Sequence, residues 1–101
     1  MKTANEIEDE FRSKSIQRGG ILLFNPTDGI SVIQKCHEEN LKILGIDGFR
    51  LTATHIQPLM EHSVDLSSDI NPKLEIDNWQ RAEEFLRLRE QLNLVFELVI
   101  E

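Results

Sequence analysis

Apolar positions recur along the chain at two spacings, and each spacing predicts an element. The clearest is the last: Leu94, Phe96, Leu98 and Ile100 alternate with Val95, Glu97, Val99 and Glu101. A period of two is that of a strand with one face on a core. Residues 20–25, GILLFN, form a short apolar run between turn residues and read as a buried strand. Residues 42–47, KILGID, predict a second strand. Beyond Gly48, Phe49, Leu51 and Ala53 alternate with Arg50, Thr52 and Thr54. That third strand follows the second through a tight bend or continues past a bulge at Gly48.

Helical spacing fills the gaps. From Ala4 to Gln17, Ile7 and Phe11 share a face, with acids early and bases late, as the helix dipole favours. Gly19-Gly20 ends that helix. Pro26-Thr27-Asp28 starts another, with Asp28 as cap and Ile30, Ile33 and Cys36 or His37 on one stripe. It reaches Glu39, where Asn40 supplies a left-handed stop. Asp77 or Asn78 caps the last helix, whose buried stripe is Trp79, Ala82, Phe85, Leu86 and Leu92. Glu83 and Arg87 are spaced to pair on its wet side. Between Ala53 and that helix the pattern weakens. Pro58 forbids a central strand, Leu59 to Leu66 fit one helical turn leading into an extended piece, and Ser67, Ser68, Asp69, Asn71 and Pro72 read as a polar loop.

The expected fold class is therefore α/β, more narrowly α+β. It is a four-stranded mixed sheet with helices mainly on one face, in ferredoxin-like βαββαβ order plus an N-terminal helix. A helix connects the first two strands, so they should run parallel. The expected core is Ile21, Leu23, Ile33, Ile43, Leu51, Phe85, Phe96 and Leu98.

A length of 101 residues makes residues 1–101 a single domain. Charge narrows the partners. Residues 1–60 carry 8 acidic and 7 basic side chains, whereas residues 61–101 carry 10 and 4. A net charge of −7 disfavours nucleic acid and anionic membranes and favours a basic protein partner. No apolar run is long enough for a leader peptide or a membrane span. Cys36 is the only cysteine, which suits a reducing compartment, and the cytoplasm is the expected location.

Chemistry is hard to find. Gly19-Gly20 and the Gly45/Gly48 pair lack the spacing of a phosphate loop, and no zinc motif or other cofactor motif is present. Cys36 and His37 resemble a nucleophile and its base, but adjacent helix residues point about 100° apart. His62 with Asp65, and Asp47 nearby in the chain, could in principle bind a small ligand or move protons. The expectation is nevertheless a non-enzymatic chain with no metal and no cofactor. The informative stretch is Leu44 to Ser68, where Asp47, Arg50, Asp65 and Asp69 are the candidate partner-binding residues. A structural alternative pairs Arg50 with Asp65 to pin the loop to the sheet. Another alternative is a homodimer joined through an edge strand, either 94–101 or Phe49–Ala53.

The same stretch resembles small bacterial proteins with an LG(I/V)(D/E)GFR…P…D(F/L)S pattern, a following helix and a terminal FE-V-I/V strand. The matching residues are Leu44, Gly45, Ile46, Asp47, Gly48, Phe49, Arg50, Pro58, Asp65, Leu66, Ser67, Phe96, Glu97 and Val99. Such proteins look like the immunity partners of secreted bacterial toxins. The resemblance implies a protein-binding module that neutralises a basic toxin domain.

Overall fold

The structure is a computed structural model that describes residues 2–67 and 77–101. Asp69 and the rest of the expected polar loop beyond Ser67 lie outside the described residues. The described elements are α1 (Ala4–Phe11), β1 (Ile16–Arg18), β2 (Ile21–Leu23), α2 (Pro26–Glu38), β3 (Ile43–Leu51), β4 (Ile56–Asp65), α3 (Asn78–Arg87) and β5 (Val95–Ile100). The α+β class is as expected.

Local chemistry sets the ends of these elements. Thr3 and Glu6 form a reciprocal capping box at the start of α1. Asn25, and not Asp28, caps α2: its side chain accepts from the Asp28 N–H at 2.8 Å, and Pro26 occupies the first turn. Asn40 takes the left-handed conformation expected of it, with φ of 58°. Asp77 caps α3, which ends at Arg87, so Leu92 falls beyond the helix and is exposed.

The sheet differs from the expected one in three ways. First, the Gly19-Gly20 pair does not end a helix. Both residues have positive φ, 55° and 84°, and they turn β1 into β2 as a two-residue hairpin. Second, the expected helical turn after Pro58 is strand β4, while the second and third expected strands are one strand, β3, which continues past Gly48 as one of the two expectations had it. The irregularity lies opposite Gly48 on β4: Ile46 pairs with Val64 but Gly48 pairs with Leu59, so the extra residues are on β4. Third, the pairing is antiparallel throughout, as a β1-β2 sheet and a β4-β3-β5 sheet. It is neither mixed nor in ferredoxin order. One bridge, Phe24 with Phe96, joins the two sheets, and β5 therefore lies between β2 and β3. β2 and β3 are both antiparallel to β5, so they run in the same direction without touching as neighbours.

α2 packs on β5 and α3, α3 on β3, and α1 on α2. The core between these layers contains Ile7, Phe24, Ile33, Cys36, Ile43, Ile46, Leu66, Leu86, Phe96 and Leu98. Of the expected core, Leu23, Ile33, Ile43, Phe96 and Leu98 are buried, whereas Ile21, Leu51 and Phe85 are half-buried. The thinnest Cα extent is 20 Å, room for one sheet and one layer of helices. No described helix is long and apolar enough to cross a membrane.

Candidate functional site

β3 and β5 turn alternate residues to opposite sides. Ile46 and Gly48, with their cross-strand partners Leu98 and Phe96, face the helices. Asp47, Phe49 and Leu51 on β3, and Val95, Glu97 and Val99 on β5, face the other way. None of the four apolar ones belongs to the core cluster or is among the hydrophobic residues packed against it. Val99 is 40% exposed and the other five are half-buried.

Register sorts this outer face into two halves. Phe49 stands opposite both Val95 and Pro58, and Leu51 stands opposite Ile56, which makes an apolar half. Asp47 stands opposite Glu97, and Gly45 stands between Asp65 and Val99, which makes an acidic half. Phe96 exchanges both backbone hydrogen bonds with Phe24, at 2.8 Å each. The polar backbone of Glu97 therefore points at β3, and Asp47–Glu97 is a hydrogen-bonded rung with Cα atoms about 5.5 Å apart. Like charges directly opposite each other on a sheet are destabilising.

The electrostatics agree. The Glu97 carboxyl is held above its ordinary range, first by partial burial and then by the negative charges of Asp47 and Glu8. Asp65 is shifted the other way. The Ser67 hydroxyl donates to its Oδ1 at 2.6 Å and the Ser67 N–H at 2.9 Å, and both bonds favour the carboxylate. Glu8 and Glu97 also line a cavity of about 70 Å³ where β2 and β5 diverge beyond their bridge, enough for a few waters.

The structure thus gathers Asp47 and Asp65 on one face and adds Glu97 to them. Arg50 stands apart. It is exposed at the far end of the β3–β4 ladder, opposite Gln57, and no ion pair joins it to Asp65. Glu97 was not among the expected site residues. Its face was legible from the alternation of the last strand, but its neighbour was not, because sequence does not give strand pairing.

His62 turns away from Asp65. Its Nδ1 accepts from the Arg89 Nε at 3.2 Å, and the Arg89 guanidinium lies 3.7 Å from the centre of the Phe85 ring. Among the described residues, no group of three His, Cys, Asp or Glu side chains could hold a metal ion. Cys36 is fully buried, and burial together with the charge of Glu8 pushes its thiol up to about 12. His37 is stacked on Trp79 with ring centres 4.2 Å apart, and so is occupied elsewhere.

No model of a protein family matches the chain, and no curated protein matches its sequence significantly. The outer face is the site that the geometry itself singles out.

The structure also changes the edge-strand alternative. β3 pairs with β4 as far as Leu51 but with β5 only as far as Phe49, so within the Phe49–Ala53 stretch the ladder covers mainly the β4 side. β5 gives one edge to β3 and meets Phe24 on the other. β4 forms the outer edge of the three-stranded sheet, and Pro58 and the irregularity opposite Gly48 make it a poor template for pairing.

Proposed function

We propose that the protein is a non-catalytic protein-binding module that takes a basic protein partner in the cytoplasm. In the fuller form of this reading it is an immunity protein that neutralises a bacterial toxin. The observation that carries the reading is the face on which Asp47, Glu97 and Asp65 adjoin half-exposed Phe49, Leu51 and Val95. Protein interfaces combine an apolar centre with charges that steer and orient the partner. The net charge of −7 favours encounter with a cationic surface from every direction.

The test is capture from the native host's lysate and secreted fraction at low and high salt, followed by purification of whatever is retained. The reading expects one basic protein, bound in a defined ratio, whose affinity falls as salt rises. It also expects co-expression to protect cells from that protein. Recovery of the chain alone, or a partner held equally at all salt concentrations, would overturn it.

A further inference from the structure

We infer that the docking surface is the outer face of the β4-β3-β5 sheet, and that its occupant is a basic protein segment carrying cationic and apolar side chains on one stripe. The inference rests on the proposed function and adds the form of the partner and how it seats on that face.

Three observations converge on it. The Asp47–Glu97 rung places two carboxylates directly opposite each other, an arrangement that costs stability and that a cation lying between them would relieve. The next rung along the same face is Phe49–Val95, so apolar surface begins one side chain away from the charge. α2 packs on β5 and α3 on β3, on the side of the sheet to which Ile46, Phe96 and Leu98 turn. Several carboxylates on or just after the helices already have a cation beside them. Glu38 pairs with Lys35, and Glu83 and Glu90 both lie beside Arg87. A surface cation meets competition at those carboxylates, whereas among the described residues no ion pair involves Asp47 or Glu97.

Charge complementarity selects the occupant. A purely apolar segment would bury two carboxylates without partners, which is costly. A purely basic one would leave Phe49, Leu51 and Val95 uncovered. A segment with arginine and leucine on one stripe satisfies both halves.

The experiment uses the full chain, isotope-labelled for NMR. The probe is an alanine-based helical peptide with two arginines and two leucines on one i, i+3, i+4, i+7 stripe. A control peptide has the same composition with arginines and leucines on opposite faces. The inference expects shift changes centred on residues 45–51 and 95–99, with the single-stripe peptide binding more tightly. The double variant Asp47→Asn with Glu97→Gln should weaken that binding about tenfold. It should fold at least as stably as the parent, because it removes a repulsion. Changes centred on the helix carboxylates, or equal binding by the double variant, would overturn the surface assignment while leaving the basic-partner reading standing. No binding of either peptide at low salt would overturn both.

Discussion

Asn78 does with one side chain what a neighbouring strand does elsewhere. Its Oδ1 accepts from the Ile43 N–H and its Nδ2 donates to the Ile43 carbonyl, both at 2.8 Å, and the residue is 3% exposed. Asn78→Ala would leave both backbone groups of Ile43 without a partner in a dry setting. We expect a loss of about 2–4 kcal/mol, read by denaturant unfolding. Trp79 is the reporter, since its indole donates to the Leu41 carbonyl and the Lys42 ammonium lies 3.6 Å from its ring centre. Glu97 carries a pH prediction of opposite sense to that of most carboxylates. Its folded pKa is raised, so between the unfolded and folded values the native state holds more protons. Its contribution to stability therefore falls as pH rises from about 4.5 upward. Glu97→Gln should be more stable than the parent at neutral pH, and the two should converge below that window. A constant difference across the range would count against the raised pKa of Glu97. Sequence named Asp77 and Asn78 as rival caps. It could not show that Asn78 is needed by Ile43, because that contact spans 35 residues.

The elements were legible where the period was long and uninterrupted. α2, α3 and β5 follow from their stripes. The misreadings cluster at glycines, because a glycine marks a special backbone site without saying which kind. Gly19-Gly20 fits a helix stop as well as a hairpin, and only the pairing of Arg18 with Ile21 decides. Gly48 looks like a strand break but sits inside β3, where β4 crosses close over it. A Cβ there would overlap the His62 carbonyl oxygen and lie 2.9 Å from the His62 Cβ. Its N–H donates to the Ser63 Oγ at 3.1 Å, and that hydroxyl donates to the Leu59 carbonyl at 2.9 Å. Gly48→Ala should therefore cost about 2 kcal/mol or more, visible as a lower denaturant midpoint. Ser63→Ala should cost less, about 1 kcal/mol. If Gly48→Ala is neutral, the close crossing is not a constraint on β4.

At the scale of the molecule, the sequence conveyed the α+β class and the acidic balance but not the order of strands. Nothing in β5 itself says that it inserts between β2 and β3. The candidate site suffered for the same reason: Asp47 was nameable, but its opposition to Glu97 depends on that insertion. The salt dependence belongs at this scale too. Binding of a basic partner should weaken steadily as ionic strength rises, with the slope reduced in the Asp47→Asn, Glu97→Gln variant, as isothermal titration would record. The Phe24–Phe96 bridge has a further consequence for how the molecule opens. The hairpin of β1 and β2 is tied to the larger sheet by two backbone hydrogen bonds and by the buried Leu23 and Phe24 side chains. Amide hydrogen exchange should therefore divide the chain into two cooperative units. The hairpin amides should exchange together through a cheap, partial opening, while those shared by β3 and β5 wait for the whole domain to unfold.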